Sequence, residues 1–390
     1  VIPYGRQHLD EDDVKAVVET LTSNWLTQGP AIPKFETALA DYCGANFGIA
    51  VNSATSALHI ACLALGVSEG DRVWTSPNSF VASSNCALYC GAKVDFVDID
   101  LHTGNMCVDA LRNKLVLAES INALPKVIIP VHFAGQPCDM KEIRALSKQY
   151  GFFVIEDASH AVGAKYQEKF VGSCEFSDIC VFSFHPVKII TTMEGGMALT
   201  NNSEWAEKMR MLRSHGITND PEKMTEDSHG PWYYQQIALG FNYRMTDVEA
   251  ALGFSQLKKL PGILEKRNAL AAHYDKLFAT LERVQPLSQK DGTYSSYHLY
   301  VIRVLNINES EHEILVFKLR SAGIFAHVHY IPIHTQPFYR ELGFNWGDFP
   351  NAETYYHQAI SLPLFPQLSV DDLTYIADTV SKLVELNSIR

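Results

Sequence analysis

No apolar stretch in this chain approaches the ~18 residues needed to cross a bilayer. The opening segment VIPYGRQHLDEDD also lacks the basic and hydrophobic runs of a secretory leader. A cytoplasmic protein with no membrane partner is expected. Positive charge is in deficit: 32 Lys and Arg against 44 Asp and Glu leave a net charge of −12, which disfavours phosphate backbones and makes nucleic acid an unlooked-for partner. Cysteine is missing from the second half, and the eight present (Cys43, Cys62, Cys86, Cys90, Cys107, Cys138, Cys174 and Cys180) include no C-x-x-C pair, so no disulfide framework is implied. Cys86 and Cys90 share a helix face and could share a metal, but they are read as small buried thiols. Neither G-x-G-x-x-G nor a Walker A pattern occurs, which removes the simplest dinucleotide and nucleoside-triphosphate hypotheses. Fixed-period repeats and low-complexity tracts are absent as well, so solenoids and disordered scaffolds are unsupported.

What remains is ordinary globular composition, 47% apolar and 19% charged over 390 residues, enough for about two or three folding units. From about 47 to 200, β-branched and aromatic runs (Phe47–Asn52, Arg72–Ser76, Lys93–Asp98, Lys126–Phe133, Phe152–Asp157, Asp178–Phe184, Gly196–Asn201) alternate with helical periodicity (Thr55–Gly66, Val81–Tyr89, Val108–Val116, Met140–Tyr150). That alternation predicts an α/β fold, a mostly parallel seven-stranded sheet between helices, with ligands beyond the carboxyl ends of its strands. Further helices are expected at Ser203–His215, Thr246–Lys259, Gly262–Leu281, Glu311–Ser321 and Val370–Leu386, and strands at Tyr297–Val304 and Ile324–His329. The reading is an amino-terminal arm and large domain over 1–250 and a smaller α+β domain over 251–390.

Some apparent motifs dissolve on inspection. Gly66-Val-Ser-Glu-Gly70 has the G-x-S-x-G spacing of serine hydrolases but ends a helix instead of opening one, so Gly66 reads as a helix terminator and Ser68 as a loop residue. Asp157, Ser159 and His160 are triad types packed too closely in sequence to act as a triad. His327 and His329 lie on one strand face with His334 nearby, a spacing that could ligate zinc, yet no carboxylate or thiolate completes the set; with Tyr330 and Pro332 they read as a pocket wall and no metal is expected.

Three strand ends are more informative. Val51-Asn52-Ser53-Ala54-Thr55-Ser56 leaves a strand and opens a helix through small hydroxylic residues, either a simple N-cap or a phosphate cradle of unpaired N–H groups and positive dipole. Phe153-Val-Ile-Glu-Asp157 runs an apolar strand into a carboxylate that needs a cationic or N–H partner if buried. Ser183-Phe-His-Pro-Val-Lys188, followed by Glu194-Gly-Gly196, places one lysine after a strand among apolar neighbours, a setting that lowers an ammonium pKa and frees a nucleophilic amine for Schiff-base formation. A cradle, an acid and an amine at one sheet edge are the set that pyridoxal 5′-phosphate requires for its phosphate, ring nitrogen and aldehyde, with Phe80 placed to lie on the ring.

The chain resembles the DegT-type sugar-nucleotide aminotransferases, fold-type-I enzymes dependent on pyridoxal 5′-phosphate. The matching blocks are WLTQGP (25–30), NSATSALH (52–59), Asn78 to Ala82, PVHFAGQ (130–136), IEDASHA (155–161), SFHPVKIITTMEGG (183–196), GFNYRMTDVEAALG (240–253) and ISLPLFP (360–366). The resemblance implies that Lys188 holds the cofactor covalently and Asp157 pairs with its ring nitrogen. It places Thr55, Ser56 and Ser183, with Ser53 beside them, at the phosphate, and Asn242 at the cofactor site of the neighbouring subunit of a homodimer. His160 would steady the acid or the cofactor's phenolic oxygen, or serve structure alone. A narrower resemblance, through AHVHYIPIHTQPFYREL (326–342), SFHPVK and AETYYHQAISLP (352–363), is to the UDP-4-amino-4,6-dideoxy-N-acetyl-β-L-altrosamine transaminases of pseudaminic acid biosynthesis. It implies a sugar-nucleotide pocket lined by Tyr4, Asn24, Trp25, Leu26, Thr27, Ser183, Asn242, His327, Val328, His329 and Tyr330. Trp25 and Met193 depart from that pattern.

On this basis L-glutamate would give its nitrogen to the cofactor, leaving pyridoxamine 5′-phosphate, which passes it to C4 of a UDP-linked 4-keto-6-deoxy-N-acetylhexosamine. The same blocks are compatible with UDP-4-keto pentoses or dTDP- or GDP-4-keto-6-deoxyhexoses. A pyridoxamine-dependent sugar dehydratase on this fold would carry histidine in place of Lys188. A transcriptional regulator would need a basic helix-turn-helix segment, which the acidic sequence does not show.

Overall fold

The computed structural model describes residues 1–386. All seven expected runs become strands of one sheet: β1 (Phe47–Val51), β2 (Arg72–Thr75), β3 (Lys93–Phe96), β4 (Val127–Ile129), β5 (Phe153–Asp157), β6 (Ile179–Ser183) and β7 (Gly196–Thr200). Their order is β1-β7-β6-β5-β4-β2-β3. The pairs from β3 through β6 are parallel, whereas β7 runs antiparallel to both β6 and β1. Alternate side chains enter different cores: Ile179 and Val181 pack with Ile49 and Val51 on one face, and Cys180 and Phe182 with Ala50 on the other. That two-sided burial explains why these strands read as continuous apolar runs.

Helices α1 (Glu11–Leu21) and α2 (Ala31–Cys43) precede the sheet, and α3 (Ala54–Ala64), α4 (Ala82–Tyr89), α5 (Val108–Ser120), α6 (Met140–Tyr150) and α7 (Ser203–Leu212) cover it. The two helices expected around residues 246–281 are in fact one, α8 (Asp247–Phe278), which passes through Pro261. Pro261 cannot donate to the helix ladder, a local cost of ~3 kcal/mol. Leu257, Leu260, Ile263 and Leu264 nevertheless stay buried in one unbroken stripe across it, and that packing decides the outcome. The boundary expected after residue 250 falls within the first turns of α8.

Beyond α8 a second sheet, β8 (Val284–Pro286), β9 (Tyr300–Val304) and β10 (Ala359–Leu362), is antiparallel. It shares a core with the end of α8, α9 (Glu309–Ser321) and α12 (Val370–Leu386). α10 (Pro337–Glu341) and α11 (Pro350–Gln358) instead send Tyr339, Ala352 and Tyr355 back into the large core. The strand expected at Ile324–His329 does not form. That stretch makes only single bridges, Ile2 with Ile324 and His327 with Ser361, because it leaves the small sheet to wall the cavity described next.

Candidate active site

Strand register assembles the site. Ser183, the last residue of β6, and Val51, the last of β1, both pair with Gly196 at the start of β7, and Asp157 at the end of β5 pairs with Val181. The three strand ends therefore meet at one sheet edge, around a cavity of about 310 Å³. A Cβ on Gly196 would sit 2.5 Å from the Ala54 nitrogen and 2.6 Å from the Ser53 carbonyl carbon, so only glycine lets β7 approach the first turn of α3 this closely. Gly195 is crowded by side chains instead, a Cβ there falling 2.1 Å from Thr192 Oγ1 and 2.6 Å from Met245 Cε.

Ser53 caps α3, its Oγ accepting from the Ser56 N–H at 3.1 Å. Ser53 and Thr55 line the cavity with Ser183, beside the positive end of the helix. Ser56 departs from the expectation: its hydroxyl donates to Asn52 Oδ1 at 2.7 Å and it is not part of the cavity wall, so its contribution is to the turn.

Asp157 is buried, and its carboxylate accepts from Ser83 Oγ at 2.6 Å and from Ser159 Oγ and N at 2.6 and 3.1 Å. Ser83 is in turn 2.7 Å from Ser79, which also lines the cavity. These serines escaped the sequence reading; the available signal was the i, i+4 spacing of Ser79 and Ser83 right after the β2 strand end. Behind the sheet, adjacent Glu156 points the other way and accepts from His132 Nε2 at 2.6 Å and from Ser177. The Cys138 N–H donates to His132 Nδ1 and so fixes the proton on Nε2.

Lys188 lines the same cavity as Asp157, and its pKa is pushed down to about 8, chiefly by burial and against the pull of the Asp157 charge. His160 faces it. The Ala134 N–H donates to His160 Nδ1 at 3.3 Å, so the ring proton sits on Nε2 and is donated to the Tyr330 hydroxyl at 3.1 Å. Burial, Lys188 and His329 all hold His160 well below the usual imidazole range, consistent with that neutral tautomer. Phe80, 60% exposed, also lines the cavity, its ring tilted against that of Tyr330 at 6.5 Å.

Of the expected sugar-pocket residues, Tyr4, Ser183, His329 and Tyr330 line the cavity. His327 stacks on His329 at 4.6 Å but lies outside the wall, as does Val328. His327, His329 and His334 do not converge on a common point: His329 Nδ1 is 2.8 Å from Ser361 Oγ and His334 Nε2 is 2.9 Å from Glu353. Asn24, Trp25, Leu26 and Thr27 do not reach the cavity within one chain. Leu26 accepts from the Asp247 N–H, Thr27 bridges to Thr246, and Trp25 borders a separate hollow with Lys34 and Phe254. Asn242 is likewise outside, exposed and bridged to Ser214. The 24–27 segment is bridged to Thr246 at the start of α8, and Asn242 lies against Asn52, next to the first turn of α3 but outside the cavity wall.

Residues 7–381 match the DegT/DnrJ/EryC1/StrS aminotransferase family. The chain belongs to that family. It is 40% identical over 388 residues to a UDP-4-amino-4,6-dideoxy-N-acetyl-beta-L-altrosamine transaminase of Campylobacter jejuni, covering 99% of this chain and 98% of the relative. Helicobacter pylori PseC, an aminotransferase of pseudaminic acid biosynthesis, superposes with a TM-score of 0.90 at 35% identity over 99% of both chains. Streptococcus pneumoniae Spr1654 in its PMP form gives a TM-score of 0.90 at 31% identity, covering 99% of this chain and 100% of that one, and it was also solved in a PLP form. Aminotransferases of this family depend on pyridoxal 5′-phosphate. The residues here fit that group. The Ala54 and Thr55 N–H groups have no hydrogen-bond acceptor among the described residues, the Asp157 carboxylate is oriented by three donors, and the exposed Phe80 side chain and an amine of lowered pKa line one cavity.

Proposed function

We propose that this aminotransferase moves nitrogen from L-glutamate to C4 of a UDP-linked 4-keto-6-deoxy-N-acetylhexosamine, through pyridoxal 5′-phosphate held covalently at Lys188, in a homodimer whose subunits complete each other's sites. One observation carries the chemistry: a lysine amine of lowered pKa shares a cavity wall with an oriented, buried carboxylate. The cofactor, when bound, supplies an electrophilic carbonyl carbon and a ring that withdraws electrons from the donor's α-carbon.

The chain's own residues do the rest. At pH 7 a pKa of about 8 leaves about one Lys188 amine in ten neutral, against about one in three thousand at the unperturbed value. That neutral fraction binds the carbonyl and, once displaced, carries a proton to and from the donor's α-carbon. Asp157, its lone pairs directed by Ser83 and Ser159, keeps a proton on the ring nitrogen. Thr55, Ser183, Ser53 and the first N–H groups of α3 bind the phosphate, and Phe80 covers the ring. His160 Nε2–H fixes the Tyr330 hydroxyl as an acceptor, which turns the phenolic proton toward the cavity. Tyr4, His329 and Tyr330 form the wall available to the sugar. The C. jejuni relative's name and the likeness to PseC support the UDP-sugar. Asn242 and the 24–27 loop, exposed beside each other's supporting strands, are the surfaces a second copy would bring to this cavity.

Incubating the purified protein with L-glutamate and a panel of UDP- and dTDP-linked 4-keto sugars, then reading product mass and C4 configuration, tests this. A 4-amino-4,6-dideoxy-N-acetylhexosamine formed from the UDP-linked substrate alone is the expected result. Preferential turnover of a dTDP-linked hexose or a UDP-pentose would overturn the substrate assignment.

A further inference from the structure

The chain that enters β9 first presses against the turn and the histidine beside the cavity. Thr293 and Tyr294 pair with Tyr166 and Lys165, and the residues that follow, Ser295 to Leu299, run past Ala134, Gly135 and His160. Ser296 donates twice, its N–H to the Gly135 carbonyl at 3.1 Å and its Oγ to the His160 carbonyl at 2.7 Å. The Leu299 N–H donates to the Ala134 carbonyl at 3.3 Å, and the His298 ring lies 4.3 Å from that of His160 at an angle of 44°. One segment therefore holds His160 by its backbone and its ring, and also holds Ala134, whose N–H donates to His160 Nδ1. Ser296 and His298 are both buried, yet neither lines the cavity.

The contact is bought with backbone strain. Ala134 at φ +57° and Tyr297 at φ +46° lie in the left-handed region, where a residue other than glycine costs ~1–3 kcal/mol and persists only if its surroundings over-determine it. Those surroundings are present. The Tyr297 N–H donates to Ser295 Oγ at 3.0 Å, and the buried Arg267 of α8 donates through Nη1 to the carbonyls of Tyr297, His298 and Leu364 at 3.0, 3.4 and 3.1 Å. Between them Gly135, at φ +103°, has no room for a Cβ, which would fall 2.5 Å from Ser296 Oγ and 3.0 Å from the His160 carbonyl oxygen. His298 Nδ1 has no hydrogen-bond partner among the described residues, so the ring acts here through its face. Burial holds His298, like His160, well below the usual imidazole range, and the two rings do not repel as cations.

We propose that Ser296 and His298 are positioning residues that lock His160 as its Nε2–H tautomer and thereby set the direction of the Tyr330 hydroxyl. The Ala134 N–H meets Nδ1 only while the imidazole keeps its plane, and the face of His298 bars the ring from turning. A turned ring loses that donor, and its proton can then sit on either nitrogen. With Nε2 bare, His160 accepts from Tyr330, and the phenolic proton leaves the cavity for the histidine. This role rests on the part given to Tyr330 in the proposed reaction, whereas the tautomer itself does not depend on which sugar reacts.

Isotope-labelled histidine, read by nitrogen NMR in the holoenzyme, reports the tautomer without turnover, and His160→Gln identifies the His160 signals by their loss. Wild type should show a proton bonded to Nε2 alone. His298→Ala and Ser296→Ala should each spread that proton over both nitrogens and lower kcat by about tenfold, with KM for either substrate held within about twofold. His298→Phe keeps a flat face without a ring nitrogen, so it should keep both the Nε2 proton and most of the turnover. An Nε2 proton undisturbed in either alanine variant, a loss expressed in KM instead of kcat, or a His298→Phe protein as disturbed as His298→Ala would overturn the proposal. Should His298→Ala fail to fold, Ser296→Ala decides alone. Failure of every sugar in the panel above would overturn the substrate assignment and leave the tautomer measurement standing.

Discussion

In the proposed reaction Lys188 and Asp157 act through groups that other parts of the chain set up, so substitutions at this scale separate chemistry from support. Lys188→Ala is expected to retain its fold, to lose the violet absorption of covalently held cofactor, and to lose transamination by at least ~10³-fold; absorbance and single-turnover rates check both. The lowered amine pKa also fixes a sign. The neutral, nucleophilic form dominates above the folded value, so covalent capture of the cofactor by apoprotein should rise with pH and level off above about 8 instead of near the usual lysine range. Asp157→Asn removes the one charge that raises that pKa, so the inflection should move to lower pH while turnover falls by orders of magnitude. At this scale the sequence pointed to the aspartate because it ends an apolar strand, and to the lysine because it follows a strand by five residues among apolar neighbours. It hid Ser83 and the Ala134-to-His160 hydrogen bond, because those partners depend on how separate segments fold back, and it showed Ser159 beside Asp157 without its role as a donor to that carboxylate.

At the scale of elements, the approach of β7 to α3 is what keeps the cradle open, and glycine makes it possible. Gly196→Ala would press a methyl group into the backbone of Ser53 and Ala54, which has no flexible end to yield. A loss of ~1–3 kcal/mol in urea unfolding and weaker cofactor retention are expected. Gly262→Ala is the contrasting case: exposed inside α8 with nothing within 4 Å, it should stabilise by ~1 kcal/mol and leave cofactor binding unchanged. Most element positions were legible from periodicity, and Met140–Tyr150 and Val370–Leu386 coincide with α6 and α12. Two were not. Pro261 argues locally for a break that tertiary packing overrides, and the β-branched, aromatic run at 324–329 has the composition of a strand without a ladder to join.

For the whole molecule, the distribution of site residues over two surfaces yields a test of assembly. If Asn242 serves the neighbouring subunit's cavity, neither Lys188→Ala nor Asn242→Ala homodimers work. An equimolar mixture, once subunits have exchanged, restores one good site in each heterodimer, about a quarter of wild-type activity. Sedimentation before and after mixing, alongside the assay, checks this. No restoration would place Asn242 in its own subunit's site, and an active Asn242→Ala homodimer would place it outside catalysis.

The sequence by itself determined the α/β layering and the seven strands, and singled out the lysine and aspartate that line one cavity, because hydrophobic periodicity and strand-end residues are local properties of the chain. Only the tertiary structure decided which of the hydroxyls and histidines meet. The contacts of Ser83 with Asp157, of His160 with Tyr330 and of His329 with Ser361 depend on strand order, on helix packing and on the path of residues 324–336 over the sheet edge, and each joins positions far apart in sequence that no local pattern encodes.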